Sequence, residues 1–159
     1  MLGKKRIRRI IWLVTHDIET KWISLEEAYP LFFSDGSWEL NKMDGYTFKN
    51  FIEGHEQYKY IGTYKDKELL GVTAVLQGTP TEVHTYIHPE HRREAPLIHK
   101  NQFKFMNDQG SEKFVTYVDS GNRGAINYLV NRHGFRVTES LGEIKRNGIP
   151  HTSYKLERG

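Results

Sequence analysis

Glu82 and His84 stand one residue apart in a run, 82–88, whose alternation is that of a β-strand, so both side chains leave the same face of it. A carboxylate and an imidazole placed side by side can take a proton from a nucleophile. Each is equally a surface residue, the commoner fate of an isolated acid or histidine. A few positions further on, Arg92 and Arg93 precede Ala95, Pro96 and Leu97. Proline suits the first position of a helix, and the amide end of a helix attracts phosphate, as does the rigid donor fork of a guanidinium. Against this, Ala95 carries a methyl group where glycine would let a phosphate approach, Pro96 has no amide hydrogen, Leu97 adds bulk, and Glu94 brings a negative charge. Arg92 and Arg93 can also be read as ordinary solvated arginines. His84, His88, His91 and His99 span a strand, a turn and a helix without a convergent carboxylate pair, and no metal site is assigned to them.

The elements that must hold these residues follow from periodicity and turn chemistry. Residues 9–15, rich in β-branched and aromatic side chains, read as a first strand. Ser24 and Glu27 form a capping box ahead of Leu25, Ala28, Leu31 and Phe32, which recur at helical spacing, and Pro30 makes that helix short or kinked. After a polar loop over 34–45, a second short helix is expected from about Asp44 onward. Residues 58–64 and 68–77 alternate around Asp66-Lys67, and a third strand follows Gly78-Thr79-Pro80, giving an antiparallel meander. Residues 96–106 then turn helical, 113–118 form an apolar strand, and 122–133 form a helix stopped by Gly134. The last two strands, 135–144 and 149–156, flank Asn147-Gly148, a strong hairpin signal. The expected order is β-α-α-β-β-β-α-β-α-β-β.

That order resembles the GNAT superfamily of N-acetyltransferases over essentially the whole chain. The segment Ile87-His88-Pro89-Glu90-His91-Arg92-Arg93 is similar to the family's apolar-x-Pro-Glu-x-Arg approach to its pyrophosphate loop, in which Arg92, Ala95 and Leu97 take the matching positions. The stretch from Asn122 through Ala125 and Tyr128 to Gly134-Phe135 resembles the helix after the family's fifth strand, one residue longer than its commonest form. The resemblance implies one α/β domain over 1–159: a mixed, mostly antiparallel twisted sheet of about six to seven strands flanked by about four helices. It further implies an acetyl-coenzyme A-dependent transfer of an acetyl group directly to a primary amine of a protein or small molecule. Ile87, Arg92, Arg93 and the backbone of Ala95, Pro96 and Leu97 would hold the cofactor, Asn122 would flank its pantetheine arm, Tyr128 would serve as acid, and Glu82 or His84 as base. Tyr128 is equally a packing residue of an amphipathic helix, and Asn122 a plain helix N-cap. The hairpin with Lys145-Arg146-Asn147-Gly148 and the strand bearing Tyr154 also look like those of small GNAT-like proteins of tailed bacteriophages.

Composition narrows the alternatives. A chain of 159 residues with 37% hydrophobic, 13% aromatic and 27% charged residues closes one core. The absence of cysteine excludes disulfides, thiolate nucleophiles and cysteine zinc sites, and suits a cytoplasmic location. The basic start, Lys4 to Arg9, is followed by an apolar run too short for a secretory signal, and no other stretch is long enough to span a bilayer. Two rival classes stay open. One is a catalytically inactive GNAT-shaped protein that binds a partner, such as a phage assembly or host-directed factor, through aromatics such as Trp22 or Trp38. The other is a nucleic-acid-associated protein, disfavoured because the aromatics fall at core spacing rather than on a stacking platform.

Overall fold

The computed structural model describes residues 17–33, 44–45 and 47–159. The strand expected over 9–15, the basic start, Trp38 and most of the 34–45 loop lie outside the described residues. The first described strand, β1, is Ile18–Ile23, a segment whose charged alternation gave little sign of it. Ser24 then caps α1, Leu25–Phe33, through the expected box: its Oγ accepts from the Glu27 amide at 3.1 Å. The helix has only nine residues and contains Pro30. Helix α2, Phe48–His55, begins later than Asp44 because Thr47 and Asn50 form its capping box.

Strands β2 (Lys59–Lys65), β3 (Glu68–Leu76) and β4 (Thr81–Ile87) form the meander. A 3-10 turn, Pro89–Glu94, leads into α3, Ala95–Asp108, so Pro96 is the second helical residue and not the first. Strand β5 (Phe114–Asp119), a short 3-10 turn (Ser120–Asn122), α4 (Arg123–His133), β6 (Arg136–Arg146) and β7 (Ile149–Arg158) complete the chain. The β6–β7 turn is made by Asn147 and Gly148, with φ of 52° and 74°, the left-handed pair that the Asn-Gly dipeptide favours.

The strands form one seven-stranded sheet in the order β1-β2-β3-β4-β5-β7-β6, antiparallel except for β4 against β5. Its two faces bury separate clusters. Ala28, Leu31, Phe32 and Phe51 of α1 and α2 pack on Tyr60, Val72 and Ala74. Phe103 and Met106 of α3, with Ile126 and Leu129 of α4 alongside, pack on Ile61, Val75, Val83, Phe114 and Leu156 on the opposite face. Period-two alternation assigns Ala74 to one face and Val75 to the other. Helix α3 sits tight on the sheet. A Cβ on Gly71 would lie 2.9 Å from Ile98 Cγ2, and the buried Gln102 accepts a hydrogen bond from Thr73 and donates to the Gly71 carbonyl at 3.4 Å.

Candidate functional site

The sheet is interrupted at one place. Strands β4 and β5 pair only through Thr81 with Phe114 and Glu82 with Val115, although β4 runs on to Ile87 and β5 to Asp119. Beyond Glu82 the parallel ladder stops, and the two strands leave a gap. Its position is set by the connections: β4 feeds the 3-10 turn and α3, while β5 is held on its other side by six register pairs with β7.

Glu82 and His84 stand at the start of this gap. His84 pairs across the ladder with Ala74, so its side chain lies on the face covered by α1 and α2. There His84 Nε2 is 2.9 Å from Glu82 Oε2, and the same oxygen accepts a hydrogen bond from the Tyr58 hydroxyl. The hydrogen bond from His84 holds the Glu82 carboxyl below its ordinary range, against the opposing effect of burial. Burial, then the Glu82 contact, pushes the Tyr58 hydroxyl well up, so it stays protonated and donates. Tyr117 of β5 lies opposite His84 across the gap, their rings stacked at 6.3 Å and 23°. Its hydroxyl has no hydrogen-bond partner among the described residues, and the ring is 38% exposed. Behind the cluster His55, hydrogen-bonded to the Phe51 carbonyl at 2.8 Å and lowered in pKa mainly by burial, contacts Tyr86 at 3.4 Å. Tyr58 also walls a cavity of about 370 Å³ with Trp22, Ile23, His55 and Tyr60.

The turn after β4 is more closed than its sequence suggests. The His91 amide donates to the His88 carbonyl at 2.8 Å, the Glu90 amide to His88 Nδ1 at 3.1 Å, and the Ala95 amide to the Arg92 carbonyl. Of the expected cradle the Ala95 amide is therefore engaged within the turn, as are the Glu90 and His91 amides ahead of it. Two other features favour an anion. No side chain caps α3, and Arg92 and Arg93 are both exposed. Glu94, read from sequence as a repulsive charge, is turned back onto Lys65 at 2.7 Å, with His91 Nδ1 at 3.8 Å from its other oxygen. His91 in turn meets Glu68 at 3.1 Å, so this cluster pins the turn to the β2–β3 hairpin. Leu97 is half-buried, its carbonyl accepting from Asn101 at 2.8 Å, and Ile87 ends β4 half-buried.

Asn122 caps α4, its Oδ1 accepting from the Ala125 amide at 3.3 Å. Tyr128 is not brought to Glu82 and His84. Its ring packs on His99 of α3 at 5.3 Å and on His133 at 4.9 Å, on the helical layer of the other face. The four histidines considered together from sequence also separate: His84 pairs with Glu82, His99 with His133 at 5.0 Å, and His88 lies beside His91 at 5.6 Å. Tyr58 and Tyr117 were missed by sequence reasoning. Register alone places Tyr117 opposite His84 once Glu82 is known to pair with Val115.

The β6–β7 hairpin is tied to Asp44 and to the end of β5. The Asp44 carboxylate accepts from the amides of Asn147 and Gly148, each at 2.7 Å, and the Asp44 amide donates to the Lys145 carbonyl at 2.9 Å. Arg146 pairs with Asp119, two residues beyond Tyr117, at 2.7 Å. The end of the 34–45 loop is thus joined to the β6–β7 hairpin at Asp44.

No protein-family model matches the sequence, and no curated protein matches it. Solved structures do resemble the fold. A ribosomal-protein-alanine N-acetyltransferase from Brucella melitensis has a TM-score of 0.64 at 10% identity, covering 88% of this chain and 98% of its own. An acetyltransferase of the GNAT family from Streptococcus pneumoniae has a TM-score of 0.60 at 12% identity, over 89% and 99% of the two chains. A protein of Salmonella typhimurium described as an acetyltransferase and solved with acetyl-CoA has a TM-score of 0.62 at 12% identity, over 89% and 92%. The chain therefore has the fold of GNAT acetyltransferases, a mixed sheet with helices on both faces. Among the described residues no helix is long and apolar enough to cross a membrane.

Proposed function

We propose that this protein is an acetyl-coenzyme A-dependent N-acetyltransferase that moves an acetyl group directly to a primary amine of a protein or small molecule. The observation that carries the reading is the end of the β4–β5 ladder at Glu82 and Val115 with the Glu82–His84 pair beside it. A gap between strands admits a narrow chain, and an acid-base pair at its edge is where a nucleophile must lose a proton. Acetyl-coenzyme A supplies an activated thioester and a diphosphate. The residues present that fit it are Arg92 and Arg93, exposed for the diphosphate, and the start of α3, which no side chain caps and where Leu97 offers an amide while that of Ala95 is engaged and Pro96 has none; Lys65 neutralises Glu94. Ile87, which ends β4, and Asn122, which follows β5, flank the pantetheine arm in this reading. The Glu82–His84 pair takes the amine proton. Tyr117, with its free hydroxyl at the gap, is better placed than Tyr128 to protonate the departing sulfur.

Isothermal titration with acetyl-coenzyme A tests the reading. Binding at micromolar to millimolar ligand is expected, weakened in Arg92→Ala, and no heat at millimolar ligand overturns it. One observation favours a second reading: the amides of Glu90, His91 and Ala95 are already satisfied within the turn. A protein that kept the scaffold and lost the cofactor would look like this and would act by binding a protein partner, and the same flat titration would point to it.

A further inference from the structure

We infer that His84 is the proton acceptor, through Nδ1, and that Glu82 and Tyr58 are positioning residues that hold it in that state. The inference rests on the acetyltransferase reading and decides between the two candidates which that reading leaves joined.

The argument is one of hydrogen-bond roles. Glu82 Oε2 receives the Tyr58 hydroxyl and stands 2.9 Å from His84 Nε2. A carboxylate oxygen only accepts, so the proton of this contact belongs to Nε2. A neutral imidazole protonated at Nε2 carries its lone pair on Nδ1, the atom left without a partner in the cluster. Glu82 is the weaker choice as base: two donors converge on one of its oxygens, and both contacts favour its ionised form over the protonated one. The ring itself is held from two sides, with Tyr58 edge-on at 5.8 Å and 74° and Tyr117 stacked at 6.3 Å and 23°. The His84 side chain nevertheless stays 29% exposed, so a substrate can reach it. His55 is the other titratable group that bears on it from α2.

The step balances. The amine nitrogen bonds to the acetyl carbonyl carbon and gives its proton to His84 Nδ1, the carbon–sulfur bond breaks, and the sulfur takes a proton from the Tyr117 hydroxyl. The imidazolium then loses its added proton to water, and Tyr117 regains one from water. Glu82 stays ionised throughout and stabilises the imidazolium it faces.

The test uses the full chain, labelled with nitrogen-15, and two-bond proton–nitrogen spectra of its imidazoles near neutral pH, with His84→Gln identifying the signals. A neutral ring protonated at Nε2 is expected, with an Nε2 proton slow to exchange with water. In Glu82→Ala that proton should exchange about tenfold faster or more, since a hydrogen bond to a charged acceptor is lost. Tyr58→Phe, which keeps the ring packing, should give a smaller acceleration. A ring protonated at Nδ1, a doubly protonated ring, or unchanged exchange in Glu82→Ala overturns the inference. These spectra need no cofactor, so a flat titration with acetyl-coenzyme A sinks the transferase reading alone, while binding accompanied by the wrong tautomer sinks this inference alone.

Discussion

Among the described residues each face of the sheet carries a histidine packed against tyrosine, His84 on one and His99 on the other, and their difference lies in a carboxylate. On the α1–α2 face His84 meets Tyr58 and Tyr117 with Glu82 hydrogen-bonded to its ring, at the mouth of a strand gap. On the α3–α4 face His99 meets Tyr128 and His133 with no acid among them, and His133 Nε2 is buried without a hydrogen-bond partner. There burial pushes His99 down to about 4, with the neighbouring His133 adding to the effect. Identical residue types thus sit in opposite surroundings. A histidine beside a carboxylate at a gap can accept and pass a proton, whereas one sunk between two helices is kept neutral and behaves as an aromatic packing residue.

The largest effect that can break this comparison is on turnover. Replacing His84 with Gln should reduce release of coenzyme A from acetyl-coenzyme A in the presence of a primary-amine acceptor by about 10²- to 10⁴-fold, the usual contribution of a positioned base. His99→Phe should leave it within a few-fold. Equal losses in the two variants would mean that the clusters do not divide chemistry from packing as argued.

Next in size is an acid-stability effect confined to the other cluster. His99 has an ordinary pKa of 6.5, which the unfolded chain retains, and about 4 in the fold. Between those values the unfolded chain binds a proton that the folded chain does not, so stability is full above pH 6.5 and falls as pH drops towards 4. The loss attributable to His99 is on the order of 3 kcal/mol. His133, also lowered by burial, acts in the same direction. His99→Phe keeps an aromatic ring and removes the titration, so its urea midpoint should fall less between pH 7 and pH 4.5 than that of the parent chain. Parallel curves for the two proteins would show that His99 is not held neutral.

Much of the fold was legible because local signals agreed with it: the Ser24 capping box, the Asn147-Gly148 turn and the Gly134 stop each sit where their backbone chemistry requires. Strand β1 was not, since Glu19 and Lys21 dilute its hydrophobic pattern and its formation depends on pairing with β2. Within the site, the strand period was enough to put Glu82 and His84 on one face. Tyr58 and Tyr117 depend on tertiary register, which the period of one strand does not contain. Tyr128 illustrates the converse. Its motif position suggested an acid, but Ile126 and Leu129 take the core-facing side of α4, and the helix turns Tyr128 towards His99 instead. Glu94 was misjudged for a similar reason, because nothing near it in sequence announces Lys65 as its partner.

The smallest effects separate the two tyrosines. Tyr117→Phe keeps the ring stacked on His84 and removes only the hydroxyl, so turnover should fall by about 10²-fold, the lower end of what a positioned acid contributes, with acetyl-coenzyme A binding unchanged by calorimetry. Tyr128→Phe removes a hydroxyl that has no hydrogen-bond partner among the described residues and keeps the ring between His99 and His133. It should change neither turnover nor, beyond about 0.5 kcal/mol, the stability read from urea unfolding. The reverse pattern, a loss in Tyr128→Phe with Tyr117→Phe intact, would place the acid on the α3–α4 face. The gap would then have to pass protons to both sides of the sheet.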